Sequence, residues 1–372
     1  MTKLPVISAD SHIQEPPELY TEWLDAKYRH RAPRTETRDG KTFVIADGKK
    51  PRRIDLADER ANEEDQDREF RGDPTGGRDV DRRLGDMARD GVVGEVIYSN
   101  SPLSLYLSPD AGYQYAVVRA YNDWLIQNFS AHAHQFAPVG IVPVIDIGAA
   151  VTEVQRLVKL GYRVIKVPLT VAKRPYNLPE YEPLWAAIEE TGLILSLHAF
   201  ADSEDYYPED WGEDEGVGGA LIFMAMSMAR GQYPVAELIA SGALQRHPKL
   251  KFVIVECGAG WLAWLLHVLD EQADKKHMWI RPRLEMKPSE FSSPSGCDYL
   301  LRRSHRAAVS GPDRCRDAAL GQRLSPRRGH FPPQPGGHHP NICRRRRGGK
   351  TQNRLRQRPP ALRFCPLILG TI

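Results

Sequence analysis

The sequence predicts an α/β fold of the (β/α)₈ barrel type, and two observations point to it. Short apolar runs alternate with helical segments from residue 92 to residue 276, which is the pattern of successive strand–helix units around a parallel sheet. The chain has 372 residues, and one barrel with insertions needs about 250 or more. We therefore expect a single barrel with polar residues at the ends of its strands.

The predicted elements follow this alternation in order. The predicted strands are Val6 to Ala9, Val92 to Ser99, Phe136 to Val142, Val164 to Pro168, Leu193 to His198 and Phe252 to Glu256. The predicted helices cover about residues 113–131, 146–160, 180–191, 219–243 and 261–276. Residues 13–88 are rich in charge and poor in apolar periodicity, so we expect a long insertion after the first strand, acting as a lid or an oligomer contact.

Asp10 and His12 stand where the first predicted strand gives way to a loop that continues with Glu15. Residues two apart on an extended backbone project to the same side, so both side chains can reach one ion. Ligands at the C-terminal ends of barrel strands face the active-site mouth. The triplet predicts a metal site. Because a D-x-H triplet is common, the alternative is that Asp10 caps a turn and His12 is a solvated loop residue.

Five further segments, taken in order, carry a family resemblance. They are Y-N-D-W-L at 121–125, F-A-P-V-G-I-V-P at 136–143, G-Y-R-V-I-K-V-P at 161–168, L-S-L-H at 195–198 and H-P-K-L-K-F-V-I-V-E-C-G-A-G-W at 247–261. Over about residues 5–290 the chain resembles amidohydrolase-related proteins of the aminocarboxymuconate-semialdehyde decarboxylase type. The resemblance implies a metal-dependent hydrolase type of barrel.

His198 ends an apolar run, Leu193 to Leu197, and a buried imidazole at the mouth of a strand needs a partner. From the residues alone, a hydrogen-bonded core histidine and a metal ligand are equally good interpretations. The resemblance implies a metal ligand. Asp10, His12 and His198 then form a donor set suited to Zn²⁺ or Mn²⁺. Many relatives carry His at the position of Asp10, while others, including decarboxylases, carry an acid there.

Glu256 closes the last predicted strand, where many relatives place a catalytic histidine. We predict that Glu256 and His198 are the catalytic residues, with the Glu256 carboxylate orienting water or accepting a proton. The alternative for Glu256 is a structural acid paired with a cation. Glu15 either contacts the site or is a loop carboxylate in water.

The remaining polar residues favour structural roles. Lys166 ends a strand and is expected to be a snorkelling or structural lysine. His132 and His134 flank a helix C-terminus, where the helix dipole explains them. Cys257 is expected to be buried and inert. The acidic run from Asp202 to Glu215, which contains three aromatic residues, could border the pocket, although solvated loop charge explains it more simply.

Composition changes near residue 290. The formal net charge is +3. From Phe291 onward the chain has 16 Arg and one Lys against three Asp, a net charge of about +14, which leaves about −11 for residues 1–290. We predict two parts, a barrel over 1–290 with the insertion at about 13–88 and a disordered basic tail over 291–372.

A single-nucleotide frameshift near Glu290 best explains the tail. If the tail is back-translated and read one nucleotide later, Leu320 to Arg345 can become W-G-S-D-Y-P-H-A-E-G-T-F-P-H-S-R-E-V-I-T-R-I-F-A-D-V. Arg356 to Phe364 can likewise become D-N-A-L-R-L-Y-G-F. A match at a single position is no evidence for a frameshift, because codons are degenerate. The two restored segments, however, are long and in order, and both resemble the C-terminal half of the family.

The frameshift has a chemical consequence. In the family, the Asp of the S-D-Y-P-H segment ligates the metal and handles protons. Arg323 takes its place here, and a guanidinium has no lone pair to donate to an ion. We therefore expect the chain as written to be impaired and its barrel to be incomplete at the C-terminal end.

The resemblance implies two functions, and the composition of the tail suggests a third. The first is metal-dependent hydrolysis of a C–N or C–O bond in a small, aromatic or carboxylated substrate. The alternative is non-oxidative decarboxylation. The third, of another class, is an inactive chain whose Arg-rich tail binds nucleic acid, which the lack of interleaved aromatic residues argues against. As partners we expect a small-molecule substrate, with no nucleic acid and no membrane, and a homo-oligomer is possible. We expect the protein in the cytoplasm, because no apolar run approaches a membrane span and no signal peptide is apparent.

Overall fold

Six parallel strands form the main sheet. Their order in the sheet is the same as their order along the chain. The computed structural model describes residues 6–16, 18–47, 51–53, 77–100, 106, 108–171, 173–200 and 219–292. In chain order the strands are β1 (Val6–Ile13), β2 (Arg34–Arg38), β3 (Lys41–Ile45), β4 (Arg52–Arg53), β5 (Val92–Ser99), β6 (Phe136–Ile141), β7 (Val164–Val167), β8 (Ile194–His198) and β9 (Lys251–Val255). The main sheet has the order β1-β5-β6-β7-β8-β9, and β2 to β4 form a separate antiparallel sheet.

Helices connect the strands of the main sheet. They are α1 (Glu18–Glu22), α2 (Val80–Asp90), α3 (Ala111–Phe129), α4 (Ile147–Lys159), α5 (Glu182–Thr191), α6 (Gly219–Ala229), α7 (Gln232–Ala240), α8 (Ala243–Arg246) and α9 (Gly260–Lys276). Asp79, Asp110 and Asp146 cap α2, α3 and α4, because each carboxylate accepts a hydrogen bond from a backbone N–H of the first turn. Gly91 and Gly192 end α2 and α5 in the left-handed conformation.

The predicted strands and helices are present, with two differences. Strand β1 runs to Ile13, so Asp10 and His12 lie within a strand and the expected change to a loop at this point is wrong. The segment 219–243, predicted as one helix, contains two helices, α6 and α7, and the first residue of α8. The first break lies at Gly231, where an added Cβ would stand 2.6 Å from the Cβ of Cys257, so this close approach requires glycine.

The region predicted as an insertion contains α1, the small sheet and most of α2. Arg31 holds it against α3, because its guanidinium lies 2.6 Å from Asp47 and 2.6 Å from Asp110 and stacks on the ring of Tyr113 at 4.4 Å. Helix α2 belongs to the strand–helix pattern, since it leads directly into β5 and packs on it. A role of this region as a lid or an oligomer contact remains a prediction.

The sheet has an apolar core on each face. The larger core packs the sheet against the helices. The smaller core lies on the other face and contains Val96, Tyr98, Ala137, Val139, Val164 and Val255, which alternate along their strands. On β7 and β8 the same alternation continues to Lys166, Ser196 and His198. The inner face of the sheet is therefore apolar at one end and polar at the C-terminal ends of its strands.

The architecture is an incomplete (β/α)₈ barrel. Six of the eight strands are present in the described part of the chain, and within it β1 and β9 each pair with one strand only. The disordered tail, Arg323 and the two restored segments concern residues beyond 292, which lie outside the described residues. Among the helices that are described, none combines the length and the hydropathy needed to cross a membrane.

Candidate metal and active site

Asp10 lies at an irregular point of β1. Ser8 pairs with Glu95 of β5 and Ser11 with Ile97, so β1 has one more residue than β5 between these pairs. Such a bulge redirects the side chains beside it. His12, beyond the bulge, pairs with Tyr98. The irregular strand thus directs both Asp10 and His12 toward the inner face.

Asp10, His12 and His198 meet at this face. The Asp10 Oδ1 atom lies 3.3 Å from His12 Nε2 and 3.3 Å from His198 Nε2. One ligand atom from each residue can be chosen so that all lie within 4.8 Å of one another. The two imidazole rings meet edge to face, with centroids 5.1 Å apart. The structure therefore brings together the three residues expected to bind the metal.

Backbone carbonyls orient both imidazole rings. His12 Nδ1 lies 3.1 Å from the carbonyl oxygen of Ser99, and His198 Nδ1 lies 2.8 Å from that of Ala199. A carbonyl oxygen only accepts hydrogen bonds, so each Nδ1 carries a proton and donates it. In a neutral imidazole this leaves the lone pair on Nε2. The arrangement is the one that metal-binding histidines adopt.

The environment of Asp10 also fits a cation. Burial disfavours its charged form, but hydrogen bonds and positive charge from His12 and His198 outweigh burial and hold the pKa of the carboxyl below its ordinary value. Its Oδ2 atom is buried and has no hydrogen-bond partner among the described residues. Two neutral imidazoles would turn lone pairs toward this carboxylate. Either extra protons or a shared cation must relieve that repulsion, and the carboxylate–imidazole donor set suits a divalent ion.

Glu256 lies beside the three residues. Its Oε2 atom is 3.9 Å from His198 Nδ1. Glu256 has a φ of 59° and Phe200, two residues after His198, has a φ of 63°. Residues other than glycine rarely adopt this left-handed conformation, and it concentrates at functional sites. Backbone strain therefore occurs just after β8, which ends at His198, and just after β9, which Glu256 follows directly.

Two charged residues near the site are buried, contrary to one interpretation of each. The side chain of Glu15 accepts a hydrogen bond from the Asn100 backbone N–H at 2.8 Å, and Glu15 is buried, so it is not a loop carboxylate in water. Lys166 is 1% exposed, so it does not snorkel to the surface. Burial lowers the pKa of Lys166 to about 8, against the opposing charge of Glu15 and Asp10.

Tyr98, Ser99 and Ser196 were not anticipated from the sequence. The Tyr98 ring packs 4.9 Å from that of His198, and its hydroxyl lies 3.0 Å from Ser196 Oγ. Ser99 supports His12 through its carbonyl and Lys166 through its hydroxyl. Ser196 could have been predicted from the segment L-S-L-H, because it lies two residues before His198 and residues two apart on a strand face the same side. Tyr98 and Ser99 end an apolar strand, which is the same signal that marked His198.

Two histidines lie away from the site. His132 and His134 precede β6, whereas the site lies at the opposite ends of the strands. Cys257 is buried, as expected. The acidic run from Asp202 to Glu215 lies outside the described residues.

Comparison with known proteins gives the family. A family model described as amidohydrolase matches residues 108–319, more than half of the chain and past the boundary expected at residue 290. The gamma-resorcylate decarboxylases of Rhizobium sp. (strain MTP-10005) and Rhizobium radiobacter are each 25% identical over 227 residues, which are 56% of this chain and 63% of theirs. The chain thus matches less than two thirds of the length of these relatives.

Solved structures give the same fold. An amidohydrolase from Mycobacterium avium subsp. paratuberculosis K-10 matches with a TM-score of 0.62 and 20% identity over 78% of this chain and 81% of its own. A 5-carboxyvanillate decarboxylase from Sphingomonas paucimobilis matches with a TM-score of 0.52 and 22% identity over 78% of each chain. The incomplete barrel agrees with this family, and the family match over more than half of the chain shows that this chain belongs to the amidohydrolase family.

Proposed function

We propose that this chain is built as a metal-dependent, non-oxidative decarboxylase of a small aromatic carboxylic acid. The sequence had favoured hydrolysis and given decarboxylation as the alternative. The similarity to gamma-resorcylate decarboxylases supports that alternative over hydrolysis. Both reactions would use the same donor set, so the choice between them rests on the relatives.

The observation that carries the proposal is the convergence of His12 and His198 on Asp10. Both Nε2 atoms lie 3.3 Å from Asp10 Oδ1, while both Nδ1 atoms face backbone carbonyls. Asp10, His12 and His198 would hold the ion, with Mn²⁺ or Zn²⁺ as the candidates. When bound, such an ion supplies positive charge that polarises and orients an anionic oxygen of the substrate.

The protein residues have separate tasks in this scheme. The carbonyls of Ser99 and Ala199 hold the two imidazole rings so that Nε2 faces the ligand position. Tyr98 packs against both rings and limits their rotation. This preorganisation lowers the cost of binding an ion and a substrate together.

Decarboxylation also needs one proton. The bond between the ring carbon and the carboxyl carbon breaks, CO₂ leaves, and the electron pair left on the ring carbon takes up a proton. Glu256 is our first candidate to pass this proton, since its Oε2 atom lies 3.9 Å from His198 Nδ1. The Asp of the restored W-G-S-D-Y-P-H segment is the second candidate, and Arg323 stands in its place in the chain as written.

The test is release of CO₂ from carboxyl-labelled gamma-resorcylate and other hydroxylated benzoates, by the purified chain with added Mn²⁺ or Zn²⁺. We expect labelled CO₂ in at least one combination and loss of release with a chelator. The panel also contains aryl amides and lactones. Turnover of these without CO₂ release from any acid would favour hydrolysis and contradict the proposal.

A further inference from the structure

Lys166 is a buried cation that the scheme above does not use. It is the third of the four residues of β7, lies on the inner face of the sheet and is 1% exposed. In the sheet it pairs with Ser196 of β8, two residues before His198, and with Ile141 of β6. Its long side chain therefore lies on the same polar face as the candidate metal ligands.

The ammonium group has few acceptors. Its Nζ donates to Ser99 Oγ at 2.6 Å, and this is the only hydrogen bond of the group to a described residue. An ammonium has three donors, and leaving donors unsatisfied in a buried place is costly. Among the described residues, the protein thus offers one neutral hydroxyl to a group that needs three acceptors.

Ser99 also connects Lys166 to the candidate ligands. Its hydroxyl accepts from Lys166, and its carbonyl accepts from His12 Nδ1. The negative charges of Glu15 and Asp10 favour the charged form of Lys166. The lysine therefore lies beside the place where the ion and the substrate would meet.

We propose that the Lys166 ammonium binds an anionic oxygen of the substrate, the carboxylate or a neighbouring phenolate, next to the ion held by Asp10, His12 and His198. The inference rests on the proposed function, because it names the substrate class of that same site as aromatic acids. An incoming anion supplies the acceptors that the described residues lack and offsets the cost of the buried charge. Lys166 is in this account a substrate-binding residue that fixes the position of the reacting carboxylate.

The experiment measures binding, not turnover. The probes are 2-hydroxybenzoate and its neutral analogue 2-hydroxybenzamide, titrated by calorimetry into the Mn²⁺-supplemented full chain. The variants are Lys166→Met, Lys166→Arg and Arg156→Met. Arg156 is a partly buried cation paired with Glu153 and Asp123 on the helical side of the sheet, so it controls for the loss of a buried cation away from the site.

We expect the ratio of anion affinity to amide affinity to fall tenfold or more in Lys166→Met, which is the size expected for a charge-assisted hydrogen bond. The ratio should stay within about threefold of the parent in Lys166→Arg and Arg156→Met, because both keep a cation in the site. Manganese content is measured in each sample, so that lost metal is not mistaken for lost anion binding. An unchanged ratio in Lys166→Met, or no preference for the anion in the parent, would overturn the inference.

Further results keep the Lys166 inference testable and distinguish its failure from failure of the proposed function. If Lys166→Met does not fold, Ser99→Ala replaces it, because this variant keeps the lysine and removes its hydroxyl acceptor. The ratio of anion affinity to amide affinity should then change threefold or more, and an unchanged ratio counts against the proposal. If Lys166-dependent anion binding is found without CO₂ release from any acid, the proposed function fails and the binding site stands. If Lys166→Met releases CO₂ with the same KM as the parent, the substrate-binding role of Lys166 is refuted and the proposed function stands.

Discussion

His198 Nε2 lies 3.3 Å from Asp10 Oδ1, although 188 residues separate the two along the chain. The contact spans the inner face between β1 and β8, which are not neighbours in the sheet. It is possible because the parallel strands all present their C-terminal ends on one side of the curved sheet. Both residues lie in strands, Asp10 in β1 and His198 in β8, so the contact does not depend on the conformation of a loop.

The buried charge of Lys166 should produce a measurable dependence of stability on pH. Its pKa is about 8 in the folded chain, against an ordinary value of 10.5. Between these values the unfolded chain binds more protons, so the lysine's contribution to the free energy of unfolding rises with pH and is least favourable below about pH 8. Urea unfolding at pH 7.5 and pH 10 should show a larger rise in the parent than in Lys166→Met, by up to about 3 kcal/mol. Parallel pH dependences in the two proteins would contradict the assignment.

Asn122 should contribute strongly to stability. It is fully buried, and its side chain donates to the Ile141 carbonyl at 2.9 Å and to Glu153 Oε1 at 2.7 Å, and accepts from the Ile141 N–H at 2.8 Å. Asn122→Ala leaves these groups unsatisfied and should lower the free energy of unfolding by about 3 kcal/mol. Asn128→Ala, on the exposed side of α3, is the matched control and should cost less than about 0.5 kcal/mol. Equal losses in the two variants would show that the buried network matters little.

Glu256 should show a conflict between stability and activity. Its φ of 59° is strained for a residue with a side chain, so Glu256→Gly should keep the free energy of unfolding or raise it by about 1 kcal/mol. Turnover should fall tenfold or more, because the carboxylate beside His198 is lost. Asp39→Gly, with a φ of 51° on an exposed turn, should change stability in the same direction and leave turnover intact. Full activity in Glu256→Gly would remove Glu256 from the catalytic residues.

The proposed frameshift predicts gain of function. Inserting or deleting one nucleotide near the codon for Glu290, so that the downstream frame reads W-G-S-D-Y-P-H, should supply a carboxylate in place of Arg323. Metal retention, soluble yield and turnover should rise together, with turnover on the order of 10²-fold higher. An insertion of three nucleotides at the same place, which keeps the written frame, is the control. Resequencing the locus shows which frame the gene uses, and equal activity in both frames would refute the chemical part of the account.

Strand-end residues were predictable where the strand itself was strongly apolar. His198 follows Leu193 to Leu197, so its place at the mouth of a buried strand could be predicted. Strand β1 was predicted too short because Asp10, Ser11 and His12 are polar residues. Pairing of Ser11 and His12 with β5 extends the strand past them, and such pairing lies outside any local pattern.

Burial of single polar side chains could not be predicted. Lys166 was expected to be a snorkelling or a structural lysine, and its buried position depends on Ser99, which lies 67 residues away in the chain. Glu15 depends on the backbone of Asn100, 85 residues away. The break at Gly231 likewise follows from a contact with Cys257 on a distant segment. Each of these is a tertiary contact, and no local sequence signal reports it.

The central claim is that Asp10, His12 and His198 hold one divalent ion together. Its most direct test is the metal content of the parent, Asp10→Asn and His198→Ala after dialysis against the same limiting Mn²⁺ or Zn²⁺ buffer, with His132→Ala as the control histidine. The account predicts that both site variants bind the ion tenfold or more weakly than the parent and His132→Ala. Unchanged metal content in His198→Ala, in a chain that remains folded, would contradict it.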